Sequence, residues 1–339
     1  MTRVSVVAPA YNEEALVAEF VTRCDRALRE AGCDYEIVVV DDGSKDNTFL
    51  KLLDLRQSYP ALKVVRLSRN FGQEPAVHAG LQHATGDAVI VMDADLQDPP
   101  ELIPELLRRW RDGAQVVVAR RRSRGEPLLR RMATSLFHYI FHRYASVTDP
   151  PDTGLFCLID KQVADVLRQM REFHRYFRGL RAYAGFNRAD VWYDRPDRNG
   201  APRQSLAKLF RLAGDALFSF SYAPLRISLL VGTIVSVLCI SYATFLFVVR
   251  LLNLWVVPGF TTLAVAILFL GGLQLVALGI TGEYIGRIYE EVKRRPIYIV
   301  ADRVGFEASG SEAFPPDQPE TSSKTSTGSG LGRLGSEQG

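Results

Sequence analysis

Ala88-Val-Ile-Val-Met-Asp93-Ala-Asp95-Leu-Gln97-Asp98-Pro-Pro-Glu101 runs from a continuously apolar strand into a cluster of carboxylates and then into a helix opened by prolines. Side chains alternate along an extended segment, so Asp93 and Asp95 are expected on one side, where both reach a single cation. Pro99 and Pro100 suit the first turn of a helix, where amide donors lack partners anyway. In open α/β sheets ligands sit outside the carboxyl ends of the strands. Two acids there suit a hard divalent ion, Mg2+ or Mn2+, shared with a nucleotide diphosphate. A solvated Asp-rich turn has the same pattern, so its surroundings decide the reading.

Working outward, apolar β-rich runs recur at Val4 to Ala8, Tyr35 to Val40, Lys63 to Leu67 and Gln115 to Ala119. Helical patterns lie between them, at Glu13 to Glu30, Asp46 to Arg56, Gln73 to Ala84 and Glu101 to Arg111. Strands this continuously apolar are buried on both faces, which predicts a parallel sheet covered by helices: a doubly wound α/β nucleotide-binding domain. Polar residues recur where the strands end: Pro9, Tyr11, Asn12 and Glu13 after the first, Asp41-Asp42-Gly43-Ser44 after the second, Asp93 and Asp95 after the fourth. One such cluster is an ordinary cap or turn. Three at equivalent strand ends make one rim, able to hold ribose, base and metal.

Ala8-Pro-Ala-Tyr-Asn-Glu-Glu14, Asp41-Asp-Gly-Ser-Lys-Asp-Asn-Thr48, Ser68-Arg-Asn-Phe-Gly72 and Met92-Asp-Ala-Asp-Leu-Gln-Asp-Pro-Pro-Glu101 together resemble the inverting family 2 glycosyltransferases of the dolichol-phosphate-mannose-synthase type. Within that group the chain most resembles bacterial polyprenyl-phosphate glycosyltransferases with a two-helix membrane anchor. The resemblance covers about Val4 to Val300 and implies a GT-A fold. It implies that Pro9, Tyr11, Glu13, Asp42 and Ser44 bind a nucleotide, expected to be UDP. Asp93 would lie nearer the nucleotide, while Asp95, with Asp93 and Gln97, would hold the metal and serve catalysis. One sugar would pass to polyprenyl (undecaprenyl) phosphate with inversion, making a lipid-linked donor for envelope glycosylation. Relatives of this type form tetramers, so a homotetramer is expected.

Ile227 to Val249 is uncharged and mainly apolar, long enough to cross a bilayer core that needs about 20 such residues. A second span is expected at Phe260 to Ile280. Arg203, Lys208, Arg211 and Arg226 precede the first span, and Arg287, Lys293, Arg294 and Arg295 follow the second, so both ends are expected in the cytoplasm. No charged-then-apolar signal segment opens the chain. The expectation is an inner-membrane protein of two spans with its catalytic domain on the cytoplasmic leaflet.

Arg120, Arg121, Arg122, Arg124, Arg130 and Arg131 form a basic tract that suits either anionic lipid or a lipid phosphate. Arg131 and Ser135 stand one helical turn apart and could address one phosphate. The resemblance places the acceptor phosphate at Arg120, Arg131 and Ser135. It also likens Arg195-Pro-Asp-Arg198-Asn-Gly200-Ala-Pro-Arg203-Gln-Ser205 to a family hairpin in which Arg195 and Arg198 clamp a phosphate. Relatives carry Gly-Asp-Phe-Arg-Leu where this chain has Gly154-Leu155-Phe156-Cys157-Leu158, so the family's candidate base is a leucine. Asp152 is the nearest substitute in sequence. A phosphate monoester has a second pKa of about 6, so the acceptor is already largely ionised near neutral pH.

The expected organisation is a catalytic domain at 1–202, interfacial amphipathic helices at 203–225, a membrane anchor at 226–285, a segment returning to the catalytic domain at 286–302, and a disordered tail at 303–339. With 339 residues, 47% hydrophobic and a net charge of +3, the chain shows no nucleic-acid signal. Cys24, Cys33, Cys157 and Cys239 lack metal-ligand spacing. A processive polysaccharide synthase would show Gln-x-x-Arg-Trp and more spans, and neither is present. A non-catalytic membrane scaffold, motivated by Leu155, and a transferase with another lipid acceptor are the alternatives. The sugar is not legible, because hydroxyl discrimination depends on pocket shape.

Overall fold

A computed structural model describes residues 2–121, 153–170, 172, 176–194, 223–252 and 259–306. Four apolar runs form the parallel centre of the sheet: β1 (Arg3–Ala10), β2 (Asp34–Asp41), β3 (Leu62–Leu67) and β4 (Ala88–Val91). β1 pairs with both β2 and β4, and β2 pairs with β3, all in parallel. The connecting helices are α1 (Val17–Glu30), α2 (Thr48–Ser58), α3 (Gln73–His83) and α4 (Ile103–Arg111). α1 starts later than its sequence pattern suggests, because the Glu13 and Glu14 amides donate to Thr48 Oγ1 and Asp46 Oδ2. A 3-10 turn, Pro100–Leu102, likewise precedes α4.

Alternation along β1 shows why its run is continuous. Val4, Val6 and Ala8 share one core with Phe20 and Leu28 of α1 and with Ile103 and Leu106 of α4. Val7 faces α3 on the other side, where a Cβ on Gly80 would lie 2.3 Å from Val7 Cγ1. Helices thus cover both faces, and the doubly wound arrangement expected from the sequence is present.

The sheet is not wholly parallel. β5 (Val116–Arg121), β6 (Thr153–Asp160), β7 (Arg188–Tyr193) and β8 (Val300–Val304) complete the order β7-β5-β6-β4-β1-β2-β3-β8. β6 runs antiparallel to both β4 and β5, and β8 runs antiparallel to β3. A strand buried on both faces carries the same unbroken apolar run whichever way it points, so Leu155 to Ile159 gives no directional signal. After β6 come α5 (Lys161–Gln169), capped by the Asp160 carboxylate on the Gln162 amide at 2.9 Å, and α6 (Phe177–Tyr183).

Two long helices follow, α7 (Ala223–Leu251) and α8 (Phe260–Val292), and they touch each other. Both are long and apolar enough to cross a membrane, and among the described residues none in either candidate span, Ile227–Phe245 or Val265–Val292, is buried inside the protein. Leu229, Leu238, Leu275 and Leu278 are exposed, whereas a core helix of a soluble domain would hide such side chains. α8 extends past the expected end at Ile280, supported by the Glu283–Arg287 ion pair one turn apart at 2.9 Å.

Beyond α8 the chain comes back to the sheet. Leu67 pairs with Val300, Arg66 with Asp302 and Val64 with Val304. The Ser68 amide donates to the Ile299 carbonyl at 2.9 Å, and the Tyr298 ring meets His78 of α3 edge-on at 6.0 Å. β8 starts where the β-prone Ile297 to Val300 segment ends, and it takes in Arg303 and Val304, which the sequence reading assigned to the tail.

Candidate active site

A cavity of about 320 Å³ opens at the carboxyl ends of β1, β2 and β4. β1 lies between β2 and β4, so this is the point where the strand order reverses, the usual ligand crevice of such sheets. Pro9 and Ala10 line it from the end of β1, Tyr11 and Glu13 from the first loop, Asp42 from the second, Asn70 and Gly72 from the third with Gln73 at the start of α3, and Asp93, Ala94 and Asp95 from the fourth.

The first two loops brace each other. Asn12 adopts φ 55°, a conformation its short polar side chain tolerates, and its amide donates to Ser44 Oγ at 3.0 Å. Its side-chain oxygen accepts the Lys45 amide at 2.9 Å. The third loop is held from below: Asp42 is buried and accepts the Phe71 amide at 2.7 Å and the Gly72 amide at 2.9 Å. Burial raises the Asp42 pKa above its ordinary value, and those two amides offset only part of the rise. Gly43, at φ 64°, lets the backbone of Arg69 approach so closely that a Cβ would lie 2.4 Å from its carbonyl carbon.

The fourth loop corrects the strand argument. β4 ends at Val91, so Asp93 and Asp95 reach the cavity from a turn and not by alternation along a strand. That turn places Leu96 at φ 58°, an unfavourable region for an apolar side chain, compensated by its packing against the core. The Asp95 carboxylate accepts the Gln97 amide at 3.0 Å, Asp93 accepts the Gln73 side-chain amide, and Asp98 accepts the Tyr193 hydroxyl. Glu101 closes the turn with two bonds from Arg23, at 2.8 and 2.7 Å.

The structure therefore brings Pro9, Tyr11, Glu13, Asp42, Asp93 and Asp95 to one cavity. Ser44 is not among its lining residues: it is buried, and its hydroxyl supports Asn12 instead. Gln97 also does not line it, and engages Asp95 through its backbone. Arg120 pairs with Asp190 at 3.0 Å and stacks on the Trp192 ring at 4.3 Å, so its charge is engaged by β7. Arg131, Ser135, Asp152, Arg195 and Arg198 lie outside the described residues. Asn70 and Gln73 also line the cavity, outside the site residues expected from the sequence, and the polar cluster after the third strand that carries them repeats the signal of the other three.

Residues 5–168 match the model of glycosyl transferase family 2, and residues 223–288 match that of the GtrB C-terminal hairpin. A protein of Synechocystis described as an uncharacterized glycosyltransferase is 45% identical over 306 residues, 89% of this chain and 96% of its own. The bactoprenol glucosyl transferase of Shigella phage SfII is 37% identical over 300 residues, 88% of this chain and 97% of its own. A prophage bactoprenol glucosyl transferase homolog of Escherichia coli K12 is 36% identical, with 88% and 98% covered. This chain belongs to glycosyl transferase family 2.

Within this family 2 chain, two side chains show what the site can and cannot do. The β4–β6 pairing ends at Val91 and Cys157, and Leu155 lies on β6 two residues before Cys157. Leu155 is 9% exposed, so no carboxylate is offered from that strand at the rim. Among the described residues no group of three or more His, Cys, Asp or Glu stands ready to hold a metal by itself. Two carboxylates at one cavity nevertheless suit Mg2+ or Mn2+ in the manner of nucleotide enzymes, where one or two acids share the ion with substrate phosphates and water.

Proposed function

We propose that this chain transfers a single sugar from a nucleotide sugar, UDP-linked, to the phosphate of a polyprenol such as undecaprenol, at the cytoplasmic leaflet and with inversion. The observation that carries the reading is the joining of Asp93 and Asp95 with Pro9, Tyr11, Glu13 and Asp42 around one cavity, in a chain that also carries two exposed apolar helices. The relatives named as bactoprenol glucosyl transferases support the acceptor class.

Tyr11, Glu13 and Asp42 would surround the nucleoside, and the braced first and second loops hold them in place before it arrives. Asp93 and Asp95 would hold Mg2+ or Mn2+, which neutralises charge on the departing diphosphate. An oxygen of the lipid phosphate attacks the anomeric carbon opposite UDP, the carbon–oxygen bond to the β-phosphate breaks, and UDP leaves with the electron pair. With a second pKa of about 6, the acceptor needs alignment more than deprotonation, so Leu155 is compatible with the reaction. Basic residues flanking both spans support cytoplasmic ends. Arg131, Ser135, Arg195 and Arg198 are proposed for the acceptor and diphosphate phosphates on sequence grounds.

The test is to incubate the full chain and Asp95→Ala with undecaprenyl phosphate, Mn2+ or Mg2+ and labelled UDP-sugars, and to measure label in the lipid phase. Transfer from one donor, lost in the variant, is expected. Full activity in Asp95→Ala would overturn the metal assignment. Metal-dependent UDP binding without transfer would point to another acceptor or a scaffold. Arg131→Ala is expected to weaken lipid-phosphate use more than UDP binding, and equal effects would remove that acceptor assignment.

A further inference from the structure

The turn that carries Asp93 and Asp95 is tied to a strand far away in sequence. Asp98, fully buried, accepts the hydroxyl of Tyr193, which is 5% exposed and is the last residue of β7. Tyr193 is fixed from two further directions. It pairs in parallel register with Arg121 of β5, and its ring meets Phe156 of β6 edge-on at 6.2 Å. A phenol held this way sits in one place, and a carboxylate bonded to it is held likewise.

On the near side, Asp98 follows Leu96 in its left-handed conformation and Gln97, whose amide holds Asp95 at 3.0 Å. Only Leu96 and Gln97 separate the Asp98 anchor from the Asp95 carboxylate. The other anchor of the turn, Arg23 on Glu101, lies on the protein surface, with Glu101 58% exposed. The buried bond is therefore the tighter of the two, since an exposed ion pair is weakened by solvent.

We propose that Tyr193 and Asp98 are a positioning pair for the metal-diphosphate site, acting through the turn on Asp95 and not by touching substrate. The inference rests on the function proposed above. It also gives β7 a role: in the sequence Arg195 and Arg198 follow soon after Tyr193, while the end of β5 at Arg121 leads on through the basic tract. The paired ends of β5 and β7 are thus fastened to the carboxylate turn through the Tyr193 hydroxyl.

The test uses the full chain in detergent or nanodiscs, with UDP and Mn2+ as probes. Mn2+ uptake in the presence of UDP is followed by electron paramagnetic resonance, beside UDP titrations with and without metal. Tyr193→Phe keeps the ring and deletes the hydroxyl. It is expected to raise the Mn2+ concentration for half-saturation about tenfold, the scale of one hydrogen bond to a charged group, while leaving metal-free UDP binding within about twofold. Asp98→Asn retains an oxygen that accepts from Tyr193 and is expected to stay near the parent value. Unchanged Mn2+ half-saturation in Tyr193→Phe, even with a lowered melting temperature, would overturn the proposal. Equal impairment in both variants would do the same, because the Asp98 charge would then matter and not the bond. A parent chain showing no metal-dependent UDP binding overturns the function proposal itself.

Discussion

Asp42 and Gly72 are joined across the cavity floor: the carboxylate takes the Gly72 amide at 2.9 Å and the neighbouring Phe71 amide at 2.7 Å. The second loop therefore sets the height of the third. Asp42→Asn would turn an NH2 group toward one of those amides and release the Asn70–Gln73 side of the cavity. Hydrogen bonds to a charged group contribute about 1.5–3 kcal/mol. UDP affinity measured by calorimetry is expected to fall about tenfold or more, and an unchanged affinity would show that the third loop holds its place without Asp42.

Gly43 faces the same loop from beneath. Gly43→Ala meets both an unfavourable φ of 64° and a Cβ placed 2.4 Å from the Arg69 carbonyl carbon. The strain alone is about 1–3 kcal/mol. Thermal melts should show a loss of several degrees together with weaker UDP binding. Gly113→Ala, at φ 102° with nothing within 4 Å, has only the conformational cost and is expected to fall less and to bind UDP normally.

Acid should loosen the opposite end of the sheet. Glu36 is buried, and burial by itself raises its pKa, but bonds from Lys63, Ser5 and Thr85 outweigh this and leave it below the ordinary 4.5. A lowered native pKa means that the folded state binds fewer protons than the unfolded chain. The stabilisation is thus present above about 4.5 and lost as pH falls through the folded value. Melting temperature is expected to drop over that window, and Glu36→Gln should flatten the drop while costing about 3 kcal/mol at neutral pH by removing the buried carboxylate that Lys63 and Arg3 share. A wild-type profile equally flat down to pH 3 would contradict the assignment.

Truncation separates the return strand from the tail. A chain ending at residue 309 keeps β8 and should transfer sugar and melt like the parent. A chain ending at 296 loses the partner of β3 and the Ile299 carbonyl that accepts the Ser68 amide, so both stability and UDP affinity are expected to fall. Equal behaviour of the two chains would show that the third loop does not depend on β8.

Much of this architecture was legible because it is local. Val4 to Ala8 and Ala88 to Met92 announce buried strands by composition, and the acids after them announce a rim. The partners that give the rim its shape are not local. Nothing in the Asp93 motif names Gln73 as the donor to Asp93, and nothing near Asp98 points to a tyrosine at position 193. Arg120 shows the same limit: a basic tract suggests a phosphate, while Asp190, brought alongside only when β5 and β7 pair, engages it first. Ser44 belongs to the motif that the resemblance links to the nucleotide, yet in the fold its hydroxyl supports Asn12. Where a strand stops is a further blind spot. Met92 reads as strand by composition, but β4 has ended at Val91, and a turn delivers the two acids.

The fixing of Val300 beside Leu67 gives the two long helices an unusual constraint. They are not a terminal tail, because the chain enters them after β7 and leaves them into β8 of the same sheet. The excursion is a closed circuit, so its length is set at both ends. A turn added at the end of α8 acts on the short path from Lys293 to Ile299 and so on the seating of β8 along β3. Exchange of this hairpin for an unrelated pair of spans is therefore a problem of register before it is one of hydrophobicity.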